Sequence, residues 1–173
     1  IKAFKVLYGY AVTGNMSLAE ALEKLDESCE ATRDLYLFML SIISPLTETA
    51  RARINLAKTK FNPTEEDLNP NTKFVDNKVA HILANDPDFH KITSRKGFSW
   101  SQYDVLINSV LDSIKEKSWY KNYMESEDRS LKADCKLFIK IFEREFSDNP
   151  LLRPILEDLN VYWIDDLEYA LTY

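Results

Sequence analysis

Apolar residues recur along this chain at steps of three and four, with no sustained alternation of two. Steps of three and four place side chains on one face of a helix, whereas alternation marks a half-buried strand. The pattern predicts an all-α protein, a bundle of about seven helices with one long central helix. Phe4, Leu7, Tyr8 and Ala11 form the first stripe and predict a helix over 1–12, ended by Gly14-Asn15. Ser17 with Glu20 three residues on is a capping box that opens the second helix. Leu18, Leu22, Leu25, Cys29, Thr32, Tyr36, Met39 and Ile43 follow in alternating steps of four and three, a seam at heptad spacing. From Leu35 to Ile43 the helix is apolar on nearly every side, which predicts a central, buried end.

Ser44-Pro45 opens a third helix over 45–60, with Leu46, Ala50, Ile54 and Ala57 inward. Residues 61–73 carry Pro63, Pro70 and an acidic run, and form the best candidate hinge. Within them Thr64 and Asp67 fit one capped helical turn. A helix over 74–85 shows Val75, Val79, Ile82 and Leu83, and Asp86-Pro87 breaks it. Residues 87–101 read as irregular. Helices follow over 101–117 (Leu106, Val110, Ile114) and 128–146 (Leu131, Cys135, Phe138, Phe142, Phe146), then over 150–159 and 162–172. No compositional shift divides the chain, so 1–173 is expected to form a single all-helical region.

Composition narrows the classes. A chain of 173 residues suits one domain with a substantial core. Only three glycines are present, which disfavours hairpin-rich and phosphate-loop folds. The formal net charge of −6 argues against a surface that is basic overall, while local charge still decides where a phosphate sits. Cys29 and Cys135 each fall on a predicted apolar stripe, so both are expected to be buried free thiols. No run is apolar enough to span a bilayer and no signal peptide is evident, so the expected location is the cytoplasm, with no membrane partner.

Catalytic motifs are absent. His81 and His90 have no cysteine, histidine or carboxylate at metal-ligand spacing. There is no glycine-rich phosphate loop and no nucleophile elbow. Adjacent carboxylates such as Glu65-Glu66 and Asp165-Asp166 diverge by about 100° on a helix and do not converge on one atom. No enzyme activity, metal or cofactor is expected.

Two basic features stand out. Lys2 and Lys5 neighbour Tyr8 and Tyr10, and lysines neutralise phosphates while tyrosines stack on unpaired bases. Arg51, Arg53, Lys58 and Lys60 share one predicted helix without an acid among them and form a secondary basic patch. By composition alone, an ordinary terminal helix and a solvated helix face are the commoner readings of the two. The acidic final segment (Glu157, Asp158, Asp165, Asp166, Glu168) is positioned in sequence to compete for either.

Several longer runs resemble one family. Lys5-Val6-Leu7-Tyr8-Gly9-Tyr10 resembles the first-helix motif of NusB transcription antitermination factors. The run Asn62-Pro63-Thr64-Glu65-Glu66-Asp67-Leu68-Asn69-Pro70-Asn71-Thr72-Lys73-Phe74 is similar to a segment of the long Bacteroidota form. So are Tyr120-Lys121-Asn122-Tyr123-Met124-Glu125-Ser126 and Val161-Tyr162-Trp163-Ile164-Asp165-Asp166-Leu167-Glu168. The resemblance covers the amino-terminal half of that form, and the family's carboxy-terminal helical half has no counterpart here. It implies an α-helical protein that joins NusE, a ribosomal small-subunit protein, on the boxA element of nascent ribosomal RNA. That assembly loads onto the RNA polymerase complex and suppresses premature termination. It implies Lys2, Lys5 and Tyr8 as RNA-binding candidates. A helical half without its packing partner would expose an apolar face, which favours a homodimer. The residues also fit a helical protein–protein scaffold without RNA binding, docking through the seam from Leu18 to Ile43.

Overall fold

The computed structural model of the chain describes residues 1–172. Among them are eleven α-helices, one π-helical segment and no strand. The helices are α1 (Lys2–Thr13), α2 (Leu18–Ser41), α3 (Ile43–Lys58), α4 (Glu65–Leu68), α5 (Lys78–Asn85) and α6 (Pro87–Lys96). Then come α7 (Asp104–Glu116), α8 (Ser118–Glu125), α9 (Leu131–Ile141), the π segment (Phe142–Phe146), α10 (Leu152–Leu159) and α11 (Trp163–Thr172). The all-α class follows the periodicity, with a finer division than the about seven helices expected. No helix among the described residues is long and apolar enough to cross a membrane.

The chain forms two compact units, one of Ile1–Leu37 with Pro150–Tyr173 and one of Phe38–Asn149. The hinge expected at 61–73 coincides with neither boundary and lies inside the second unit.

In the first unit, Gly14 ends α1 in the left-handed region at φ 62°, a conformation that costs a side-chain-bearing residue strain. The expected capping box opens α2: Glu20 N donates to Ser17 Oγ at 3.2 Å and Ser17 N to Glu20 Oε2 at 2.7 Å. The buried face of α2 differs from the expected seam. Ala21, Ser28, Ala31 and Leu35 are buried, while Leu18 and Leu22 are 62% and 55% exposed. The face is turned by about one residue, toward the side on which Ser28 and Thr32 meet polar groups of α1 and α11. Lys2 Nζ reaches the Ser28 carbonyl, and Thr32 Oγ1 donates to Asp166 Oδ2 at 2.8 Å. Cys29 is thereby left exposed, contrary to the expected burial. In α10, Leu152 and Leu156 are buried, as are Trp163, Leu167 and Ala170 in α11.

In the second unit the last turn of α2 and the start of α3 supply Phe38, Met39, Ile42, Ile43 and Leu46 to the core. Leu106, Ile107, Val110, Leu111 and Ile114 of α7 are also fully buried, with Leu137, Phe138 and Ile141 of α9. Trp100 stacks on Phe38 with centroids 4.2 Å apart, and its indole N–H donates to Ser41 Oγ at 2.9 Å. Residues 87–96, expected to be irregular, form α6. Asp86 caps it by accepting from the N–H groups of Asp88 and Phe89, with Pro87 in the first turn. Asp86-Pro87 thus ends one helix and starts the next, since proline's missing donor is harmless in a first turn.

The stripe expected over 128–146 is corrected too. Asp134, Leu137, Phe138 and Ile141 are buried, whereas Cys135 is exposed. The π segment inserts an extra residue into the helical repeat and returns Phe146 to the core. A seam counted at fixed steps cannot anticipate that shift. Both cysteines are free and on the surface.

Candidate functional site

The first helix carries the three residues singled out for RNA contact. On a helix, positions three apart stack as a diagonal ridge, so Lys2, Lys5 and Tyr8 climb one flank of α1. Tyr8 is 61% exposed, and its ring lies against that of Phe4, centroids 6.4 Å apart and planes 24° from parallel. The two aromatics form an open platform at the helix surface.

The stripe Phe4, Leu7, Tyr8 and Ala11 faces outward, and α1 has no buried residue at all. Lys2, Val6 and Gly9 are the half-buried positions. At 3.6 residues per turn these lie about 180° from the aromatic stripe. Helix α1 therefore turns Lys2 and Val6 to its half-buried side and presents its largest side chains to solvent.

Both lysines are engaged. Lys2 Nζ donates to Asp166 Oδ2 at 2.5 Å and to the Ser28 carbonyl, with Asp166 almost fully buried. Lys5 pairs with Asp165, both half-exposed. The acidic stretch of α11 neutralises this end of α1, the competition foreseen from its charge. Lys5 and Tyr8 remain adjacent on the accessible flank, whereas Lys2 is part of the packing.

Arg51, Arg53, Lys58 and Lys60 do not assemble into one patch. Arg51 donates to the Val75 carbonyl at 2.6 Å and to Asp76 Oδ1 at 3.0 Å. Arg53 reaches Asp112 Oδ1 at 2.5 Å and Asn108 Oδ1 at 2.6 Å. Lys60 pairs with Asp67 at 3.0 Å, and Lys58 is exposed. The acids respond. Asp112 is held below its ordinary pKa by the Arg53 hydrogen bond, and Asp76 by the Thr72 hydroxyl and then Arg51. Asp67 is lowered first by the Thr64 N–H and then by Lys60. These arginines brace α3 against α7 and the 75–76 segment. Beside them a cleft of about 340 Å³ is lined by Ser44, Glu48, Arg51, Asp76 and His81.

Sequence reasoning missed a buried polar network. Lys73, only 3% exposed, donates to the carbonyls of Tyr123 and Ser126, each at 2.6 Å, and its ammonium lies 4.4 Å from the Tyr123 ring centroid. Tyr123 Oη donates to Asp134 Oδ1 at 2.7 Å, and Asp134 Oδ2 accepts from the Lys78 N–H at 2.8 Å. Lysine beside apolar Phe74-Val75 gave no signal of burial, because lysine is usually a surface residue. His90 Nε2 bonds to the Ala84 carbonyl at 2.8 Å and His81 is exposed. Among the described residues no cluster of metal-ligating side chains occurs.

No known family, curated protein or solved structure matches the chain.

Proposed function

We propose that this chain works as a NusB-like antitermination factor, binding boxA-type RNA together with NusE and acting on the RNA polymerase complex. The resemblance of four separate runs, spread from residue 5 to residue 168, motivates the family. The observation that carries the RNA contact is the exposed Phe4–Tyr8 ring pair beside Lys5. Aromatic faces stack on unpaired bases, and an adjacent ammonium neutralises the phosphate between them. No catalytic step belongs to this role.

The decisive experiment is RNA binding by the purified chain, with and without NusE, across a salt series. Salt-sensitive binding that NusE strengthens, and that Lys5→Gln with Tyr8→Ser weakens, supports the reading. Undiminished affinity in that double variant sinks the assignment of α1.

A second reading has its own observation. Phe4, Leu7, Leu18 and Leu22 are all more than half exposed, as expected of a docking or dimer face. The carboxy-terminal part of the expected seam is unsuited to this, since Met39 and Ile43 are buried. A scaffold of this kind binds its partner, or a second copy, with little salt dependence.

A further inference from the structure

We propose that the groove between α8 and α9 is a binding site for single-stranded nucleic acid, with Trp119 as the stacking surface and the lysines of α9 as phosphate contacts. The groove has a volume of about 400 Å³ and is lined by Trp119, Asn122, Lys136, Lys140 and Glu143, among others. Trp119 is half-buried and lines the groove, so it is held in the wall while still partly accessible. Its neighbour Tyr120 holds it edge-to-face, with centroids 6.4 Å apart.

Lysines 132, 136 and 140 follow at four-residue steps and share one exposed face of α9. The only acid of that helix, Asp134, is turned inward onto Tyr123 and the Lys78 N–H. Four residues of helix rise about 6 Å, so successive ammonium groups are spaced to follow an extended sugar-phosphate strand. Among the described residues, none of the three lies within ion-pair distance of a carboxylate. Two acids are nearby: Glu143 in the lining, and Asp128, which feels the charge of Lys136. In a chain of net charge −6 this is a local cationic strip beside an indole face. That pairing suits a nucleobase with its phosphates, whereas an acidic peptide would use the lysines and leave the indole idle. Asn122 adds an amide able to meet a base edge.

The inference rests on no residue of α1, so the two readings fail separately. Lys5→Gln with Tyr8→Ser addresses the first helix, and Lys136→Glu with Lys140→Glu addresses the groove.

The test is intrinsic tryptophan fluorescence of the full chain titrated with a short oligoadenylate. Trp100 and Trp163 are each 4% exposed, so quenching by a stacked base reports Trp119. The expected result is a saturable quench whose affinity falls with salt, with a log–log slope of about −1.4 to −2.1 for two or three phosphates. Lys136→Glu with Lys140→Glu, both at exposed positions, is expected to keep the helical circular dichroism and weaken binding by about tenfold or more. Trp119→Phe is expected to retain the groove wall and remove the quench. Absence of quenching at low salt overturns the proposal. So does equal affinity in the double variant, a quench that survives Trp119→Phe, or an equal quench by polyglutamate.

Discussion

The ammonium of Lys73 sits 4.4 Å from the ring centroid of Tyr123 and donates to the carbonyl of that same residue at 2.6 Å. Through this one residue a buried cation is joined to a buried anion, because the Tyr123 hydroxyl donates to Asp134 at 2.7 Å. The charges balance without direct contact. The consequence is architectural: the stretch holding Asn71, Lys73 and Phe74 is fastened to α8 and α9. Asn71 Nδ2 adds a bond to the Met124 carbonyl at 2.7 Å, and Phe74 meets Tyr120 and Phe138 ring to ring. Two of the runs that carry the family resemblance, 62–74 and 120–126, are therefore one structural assembly.

Removing the charge at Lys73 is expected to be costly. Lys73→Met keeps the stem but strips the donor from two carbonyls, leaves Asp134 as the buried charge, and loses the cation–π contact. Unpairing buried polar groups of this kind costs about 2–4 kcal/mol in all. Asn71→Ala, at the exposed edge of the same fastening, should cost about 1 kcal/mol. Urea denaturation of both variants checks the ratio. A loss under about 1 kcal/mol for Lys73→Met would show that water reaches those carbonyls.

Alkali should unfold the second unit through its tyrosines. Burial pushes the Tyr120 phenol up to about 12. Burial first, and then the hydrogen bond to Asp134, raise Tyr123 higher still. A folded-state pKa above the unfolded value of about 10 means that the native state holds its proton more tightly. The stability contributed is complete below pH of about 10 and is lost as pH rises through about 12. Phenolate absorbance should show two of the nine tyrosines ionising only in step with the loss of helical circular dichroism. Ionisation of both ahead of that loss would contradict their burial.

The helical class, the caps at Ser17 and Thr64 and the glycine stop at Gly14 were legible because each is a local event. Rotation of a helix about its axis is set by what packs against it, and there the sequence misled. On α2 the larger side chains, Leu18 and Leu22, suggested one face, while the small residues Ala21, Ser28 and Ala31 mark the buried one. On α9 the stripe through Leu131 and Cys135 overlooked both an inward aspartate and the π segment after it. The candidate site showed the same division. Lys5 and Tyr8 were identifiable by type and spacing, but the capture of Lys2 by Asp166 joins positions 164 residues apart. The strip on α9 went unseen because its lysines are spread among apolar residues.

The rotation of α2 and α9 has a chemical readout. Cys29 and Cys135 are free and exposed, so both should react with a thiol reagent in the native protein at rates near that of an unstructured peptide. Protection of either until denaturant is added would restore the buried-stripe reading. The companion substitutions are Leu22→Gln and Ala31→Gln. The first sits at a position 55% exposed and should shift stability by no more than about 0.5 kcal/mol. The second forces a polar chain into a site 4% exposed and should cost about 2 kcal/mol or more.

The ion pairs of α1 separate a packing role from a binding role. Lys2 neutralises an Asp166 whose side chain is 8% exposed, and Thr32 is that carboxylate's other partner. Lys2→Met should therefore destabilise by about 1–3 kcal/mol, short of the full cost of breaking a buried pair because Lys2 itself is partly solvated. Lys5 and Asp165 are both more than half exposed, so their pair contributes little to stability. An RNA phosphate that recruits Lys5 must displace Asp165. Asp165→Asn removes that competitor and should raise RNA affinity by about two- to fivefold at low salt, with the gain fading as salt screens the pair. Binding titrations of wild type and Asp165→Asn at two salt concentrations decide it. An unchanged affinity at low salt would show that Lys5 makes no phosphate contact, leaving the aromatic face of α1 as a surface for protein.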